Sequence, residues 1–551
     1  MKRFAWQWVV ISSLVTGVVA GTAASGAETR PQYGDTLRVA MHAAPASLDP
    51  ADSTQADSFA RRNLTFLMFE TLVTADAGGR LHPGLASSWQ ASSGPTLENQ
   101  RWQFQLRRQV KFHDGTALTA ELVAASLRVA NPTWKIASEA DSVVIELETA
   151  DPELPAALAL PRNSIVKRTA DGKLSGTGPF RISDWQPGKR LVLAAAEDYW
   201  KGRPYLDAIE IEMGRSFHDQ LIALELGRTN LVEVAAEQSH RVAMEGRPVA
   251  TSEPVELIAL LFSHDAQTPA EKSLRNALAL SVDRGSIRSV LLQGAGQPAG
   301  GILPDWMTGY EFVFPADADL ARARRERDEV KVAPAWTIGY DPGDSISHLL
   351  AERITLNARD AGLTLQPTTA ATADLRVTRI PLVASDPWIA LREVAASAGL
   401  VQPAADGRSV EQLYATEQTI LATQRLIPLF HLPAAYAAAH PFATGSRAWT
   451  EVGIWLTSGW RRETGPNDFS PQIARGVRAH GFPGSGRSGS SCLGTDAACV
   501  RANGRCADNG AGHTVSARIR AARGRSCSAR GGRCYGGTGH PAGSGVESGF
   551  G

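Results

Sequence analysis

Cysteine is the first scarcity: none occurs before Cys492, and all five (Cys492, Cys499, Cys506, Cys527, Cys534) crowd into the end of a 551-residue chain. No thiol stands directly after the N-terminal apolar segment, so lipid attachment of the bacterial lipoprotein kind is not expected. An excess of one charge sign is also missing. Lys plus Arg and Asp plus Glu number 56 each, so no net field draws in a nucleic acid or an anionic membrane. No nucleic-acid partner is expected. Long apolar runs are absent beyond residues 8–20. Familiar catalytic signatures are missing too. The 12 histidines form no HExxH, and there is no GxSxG and no Walker-type loop. Gly294 to Gly301 is glycine-rich, but Gln297 and Pro298 replace a phosphate-binding pattern, so it reads as a loop. His113 stands beside Asp114, yet neighbours on a strand point to opposite faces. The pair reads as a strand end entering a turn. No enzymatic activity and no cofactor are expected.

What is present begins at the N-terminus. Lys2 and Arg3 precede the apolar run 8–20, which has the length of a signal-peptide core and is short for a bilayer span. Ser25 and Ala27 suit the −3 and −1 positions of a cleavage site. Residues 1–27 are therefore expected to be a cleaved signal peptide. Export without a lipid anchor favours a Gram-negative periplasm.

The length suggests two to four domains. Residues 36–41, 102–106, 142–147, 191–195 and 208–213 alternate apolar and polar side chains and read as strands. Residues 110–113 continue one of these runs before an Asp114-Gly115 turn. Residues 119–130 read as a helix, with Leu122, Val123, Ser126 and Leu127 on one side. Thr268-Pro269-Ala270-Glu271 has the form of a capping box with proline at the first helical position. Further helices are expected over 284–292, ending at Gly294, and over 344–361, with a strand over 373–378. Strands and helices alternate, so the fold class is α/β in more than one domain.

From about residue 465 the composition changes to glycine with arginine, serine and alanine, without apolar periodicity. Such a segment buries too little to offset its ordering entropy and is expected to be disordered. Its cysteines stand seven, seven, twenty-one and seven positions apart, unlike zinc sites, which pair cysteines more closely. The tail reads as the product of a shifted reading frame in GC-rich DNA, which resequencing across codons 455–480 tests.

A series of segments then occurs in a telling order. Gly34-Asp35-Thr36-Leu37-Arg38-Val39 leads to Ser47-Leu48-Asp49-Pro50. Glu70-Thr71-Leu72 is followed by Pro83-Gly84-Leu85-Ala86-Ser87-Ser88-Trp89, and Val110-Lys111-Phe112-His113-Asp114-Gly115 by Leu118-Thr119-Ala120. Gly176-Thr177-Gly178-Pro179-Phe180 precedes Tyr199-Trp200-Lys201-Gly202-Arg203-Pro204. Leu274-Arg275-Asn276-Ala277-Leu278 runs on to Val282-Asp283-Arg284. Together they resemble the family 5 extracellular solute-binding proteins, the peptide and nickel class serving ABC importers, over most of residues 34–300 and more thinly over 300–440.

The resemblance implies a two-lobed, periplasmic-binding-protein-like fold with mixed sheets and a hinge. Residues 28–255 would form the first lobe, with an inserted subdomain over about 55–175. Residues 256–440 would form the second lobe, and 441–464 would return to the first. It also implies a monomer that captures a peptide or similar polar solute between the lobes and passes it to a membrane permease. The motif residues themselves read as scaffold. Ligand contacts are expected instead at Met41, His42 and Ala44, after the first strand, and at Phe262, Ser263 and His264. Asp386 and Trp388 complete the set. Family members often carry an acidic residue before the proline at Pro45, where this chain has Ala44. Asp386 could pair with a ligand ammonium and Trp388 cover a ligand, although an Asp before proline commonly forms a turn and a Trp commonly fills a core. The rival readings are a secreted hydrolase and an orphan receptor or chaperone. A nickel complex, haem or a sugar is an alternative cargo.

Overall fold

The computed structural model describes residues 33–55, 58–92, 99–403 and 409–439, together with the backbone of Arg461–Glu463. The expected signal peptide, its cleavage site, nearly all of the return segment over 441–464, and the cysteine-bearing tail with its shifted frame lie outside these residues.

One mixed sheet organises the rest. Its main path runs through Phe180–Gln186, Arg190–Ala195, Ala208–Glu212, Thr36–Ala40, Leu231–Val234, Leu426–Ala438, Val249–Phe262, Leu375–Pro381, Ala335–Gly339 and Thr364–Thr368. Thr36–Ala40 pairs in parallel with both its neighbours, as does Ala335–Gly339, whereas the central strands pair antiparallel. The first five strands bury Leu37, Val39, Leu191, Leu193, Ile209, Ile211 and Leu231 against the helix Phe59–Met68. The last three strands carry the second lobe, with the helices Pro269–Ser281 and Ser345–Asp360 on one face and Pro387–Ser397 on the other.

Two strands belong to both lobes. Val249–Phe262 and Leu426–Ala438 are each more than twice the usual strand length. Along Val249–Phe262, Leu257 and Ala259 enter one second-lobe core, and Ile258, Leu260 and Phe262 enter the other. This is the continuous apolar run of a strand buried on both faces.

A separate four-stranded sheet, ordered Ala86–Ala91, Arg101–Leu106, Ser142–Glu146 and Lys135–Glu139, packs under the helix Ala120–Ala130. That helix starts where Thr119 accepts the amide of Leu122. The segments Leu154–Ala157 and Pro161–Asn163 leave this subdomain and put Ala156, Ala157 and Leu160 into the same core as Trp388 and Leu391. The chain then returns to the main sheet through Gly176 and Gly178, which lie against the backbone of Met68.

His431 sits fully buried on the second crossing strand. Its Nε2 lies 3.0 Å from the Ile302 carbonyl, so Nε2 carries the proton, and Nδ1 has no partner among the described residues. Burial lowers its pKa from 6.5 to about 4. The folded protein holds this ring neutral while the unfolded chain protonates it. Its contribution is therefore complete above about pH 6.5 and declines as pH falls toward about 4, by roughly 3 kcal/mol. Urea unfolding of wild type and His431→Gln between pH 7.5 and 4.5 is expected to show a shallower acid loss in the variant. Equal slopes would remove His431 as the cause.

Candidate functional site

The crossing is built around two prolines. Pro254 faces Pro433, and the register between the two strands slips on both sides of that pair. Proline donates nothing to a ladder, so the sheet is interrupted where one lobe gives way to the other. Side chains replace the missing bonds. Ser252 Oγ accepts the Ala434 amide at 2.9 Å, and Trp306 Nε1 donates to the Pro254 carbonyl at 2.8 Å. The interruption is confined to a few residues, with intact ladders on either side. That is the construction of a hinge.

On the first-lobe side, Met41 is buried in the core beside Leu37 and Val39. His42 is exposed and stacks on Phe217, with ring centroids 4.8 Å apart, and its Nδ1 lies 3.2 Å from the Arg215 carbonyl. The His42 amide donates to Glu233 at 2.6 Å. Ala44 is exposed, with its Cβ toward Gly188 and Gly214. Glu233 stands across the strand pair from Tyr436, its carboxylate 3.5 Å from the buried phenol. Burial raises the Glu233 carboxyl above its ordinary value, against the pull of the His42 amide. A carboxylate from the neighbouring strand Leu231–Val234 thus lies against the loop in which Ala44 departs from an acidic residue.

On the second-lobe side, Asp386 caps the helix Pro387–Ser397, accepting the Ile389 amide at 3.0 Å. Trp388 is buried in the core of one sheet face. Phe262 is buried on the other face, edge-on to Trp336, with the Arg275 guanidinium 4.0 Å from its ring centroid. Ser263 and His264 follow it on the surface, at the end of the strand remote from Pro254. Of the residues expected to touch ligand, Met41, His42 and Ala44 share one loop and Phe262, Ser263 and His264 share one strand end. Met41, Phe262 and Trp388 lie in three different cores.

The inserted subdomain and the second lobe meet directly. Arg162 pairs with Glu393 through both guanidinium nitrogens, and Arg392 reaches Asp151 at 2.9 Å. The Gly79 turn rests on the backbone of Ser385 and Asp386. Sequence reading did not single out Glu233, Tyr436, Arg162 or Glu393. The one local signal for the hinge was a proline inside each of two apolar runs, Pro254 and Pro433.

Comparison with known proteins follows the same outline. Residues 80–381 match the family model described as bacterial extracellular solute-binding proteins, family 5. The nickel-binding protein NikA of Staphylococcus aureus is 26% identical over 245 residues, covering 42% of this chain and 49% of that protein. The probable D,D-dipeptide-binding periplasmic protein DdpA of Escherichia coli is 24% identical over 344 residues, covering 56% and 65%. The chain therefore spans about half to two-thirds of these relatives. The crystal structure of the oligopeptide-binding protein AppA from Bacillus subtilis, in complex with a nonapeptide, superimposes with a TM-score of 0.61 at 18% identity, over 75% of this chain and 95% of that one. The two lobes, the paired crossing strands and the matched central segment place this chain in the bacterial extracellular solute-binding proteins, family 5.

Proposed function

We propose that this protein is a periplasmic receptor that closes on a peptide or similar polar solute and delivers it to an ABC permease. The observation that carries the reading is the paired-proline interruption of the two crossing strands. It joins two well-packed lobes by a narrow, deformable element. A ligand that contacts both lobes only when they meet shifts the population toward the closed form. Binding then reports itself to a membrane partner as a change of shape, with no covalent chemistry. In this reading the loop at residues 42–44, with Glu233 against it, contributes to the first-lobe wall of the cleft, and Asp386 to the second-lobe wall. The peptide-binding and nickel-binding names among the relatives support a polar cargo. A single exported chain working as a monomer is sufficient for this cycle.

The test is ligand released by mild denaturation from protein purified natively out of the periplasm, identified by mass spectrometry with parallel metal analysis. The expected result is a short peptide or related polar solute whose return raises the melting temperature. Co-purifying nickel or haem would replace the peptide cargo by a metal complex. Protein that carries nothing, and whose melting temperature no peptide library moves, would sink the receptor reading.

A further inference from the structure

The inserted subdomain meets the second lobe along one element, the helix Pro387–Ser397. At the helix start, the Gly79 turn lies against the Ser385 carbonyl, where a Cβ would stand 3.0 Å from the oxygen. Leu81, two residues on, packs against both the subdomain core and the second-lobe core. Further along, Ala156, Ala157 and Leu160 share a core with Trp388 and Leu391. Beyond them stand two ion pairs of opposite polarity. Arg392 reaches Asp151 at 2.9 Å, and Glu393 takes both terminal guanidinium nitrogens of Arg162.

Faces that stay shut are dominated by large apolar side chains, whereas domain faces that part are smaller and more polar. The subdomain brings two alanines, two leucines and a charged edge. Arg162 and Arg392 keep 36% and 31% of their side-chain surface in water, and Glu393 and Asp151 keep 19% and 14%. All four charges can rehydrate when the faces separate. The order of signs also fixes the fit, because exchanging partners would set Arg392 against Arg162 and Glu393 against Asp151. The subdomain is itself tied to the first lobe, through Gly176 and Gly178 against Met68. Its grip on the second lobe is therefore a second bridge between the lobes, separate from the paired prolines of the hinge. A rotation at that hinge strains this bridge or opens it.

The geometry points to an electrostatic latch. The Arg162–Glu393 and Asp151–Arg392 pairs hold the inserted subdomain on the helix Pro387–Ser397 in the closed receptor and release it when the lobes part. This rests on the receptor reading above and adds a closing interaction that acts without ligand. A ligand that binds only the closed form gains affinity in proportion to the closed fraction, so the latch tunes affinity without contributing a ligand contact.

The test uses ligand-free, full-length exported protein and hydroxyl-radical footprinting read by mass spectrometry, which reports the solvent access of single side chains. Leu160 is buried at the contact, and Phe104 is buried in the subdomain's own core. In Glu393→Gln, labelling of Leu160 relative to Phe104 is expected to rise about threefold or more. Wild type is expected to show a similar rise between about 0.1 and 1 M NaCl, as the screening length falls from about 10 to about 3 Å. Exchanging the charges, Arg162→Glu with Glu393→Arg, should restore protection. A Leu160 that neither salt nor Glu393→Gln exposes makes the contact permanent and overturns the latch. A rise that Phe104 shares is general unfolding and overturns it too, as does a rise that the exchanged pair leaves in place. Calorimetry with trialanine reads the consequence: Glu393→Gln is expected to bind about threefold or more weakly, and equal affinity overturns the link from latch to closure. If trialanine does not bind wild type, the peptide reading fails, and the footprint alone decides the latch.

Discussion

Gly176→Ala is expected to leave little folded protein. A Cβ at this position would lie 2.0 Å from the Met68 carbonyl oxygen and 2.5 Å from Phe69 Cδ1. The first obstacle is backbone at the end of the helix Phe59–Met68, so no side-chain rotation relieves it. Gly178 meets the same helix end, with a Cβ 2.6 Å from the Met68 carbonyl carbon, and its amide donates to the Met68 carbonyl at 3.0 Å. Two backbones pressed together and hydrogen-bonded leave room only for hydrogen. The expected loss exceeds about 4 kcal/mol, at the extreme end of single-substitution effects. Gly227→Ala is the control: its φ of +66° is strained for alanine, but nothing lies within 4 Å, and its cost should be about 1 kcal/mol. Soluble yield and urea midpoints of the two variants separate close approach from backbone strain. A Gly176→Ala protein as stable as Gly227→Ala would show that the helix end can yield.

Glycines beside a proline in Gly176-Thr177-Gly178-Pro179 suggest, from the sequence alone, a sharp backbone change where the chain returns from one subdomain to another. The chain does return there, but the glycines are present for contact. Neither Gly176 nor Gly178 has a positive φ. Local sequence announces a turn glycine through its neighbours, whereas a packing glycine depends on a helix about a hundred residues away. Other elements were legible because their causes are local. Alternation gave Arg101–Leu106, Ser142–Glu146 and Ala208–Glu212 to within a residue or so. Thr268 does accept the Glu271 amide. The reciprocal half of that capping box differs: the Glu271 carboxylate takes the Gln267 amide and pairs with Arg275 instead.

The hinge and the candidate site were far less legible. Pro254 and Pro433 form one interruption only because strands 179 positions apart in the chain lie side by side. Aromatic type could not say whether Phe262 or Trp388 fills a core or lines a cleft, since both choices bury a ring. The crossing strand is apolar on both faces, so periodicity offered no outward side to follow. Glu233 was hidden for a similar reason. Within Leu231–Val234 it reads as a polar residue on a short strand, and its proximity to His42 follows from parallel pairing with Thr36–Ala40.

The family motifs identify the chain well because they are one another's partners. Glu70 ends the helix segment that Gly176 and Gly178 approach, and its carboxylate is shared four ways. Thr177 Oγ1 and Trp200 Nε1 donate to one oxygen at 3.0 and 2.8 Å, and the Tyr199 hydroxyl and Lys201 Nζ donate to the other at 2.9 and 3.0 Å. Three sequence motifs thus converge on one side chain. His113, from a fourth, donates from Nε2 to the Gly178 carbonyl at 2.9 Å and accepts the Gly176 amide at Nδ1. That geometry fixes a neutral ring, and burial lowers its pKa. Glu70→Ala would strand the buried Thr177 hydroxyl and the Tyr199 and Trp200 donors at once. The expected loss is about 3–5 kcal/mol. Little of it comes from Lys201, whose side chain is 46% exposed and whose ion pair is screened by water. Glu70→Gln keeps one acceptor and turns an amide toward two donors, so it should cost less, roughly 1–2 kcal/mol. Chemical denaturation at two salt concentrations distinguishes the parts. A loss that persists at 1 M NaCl belongs to the orphaned hydrogen bonds, because at about that ionic strength screening reaches within a few ångströms. A loss abolished by salt would assign the node to the Lys201 ion pair and leave the convergence of motifs on Glu70 without an energetic basis.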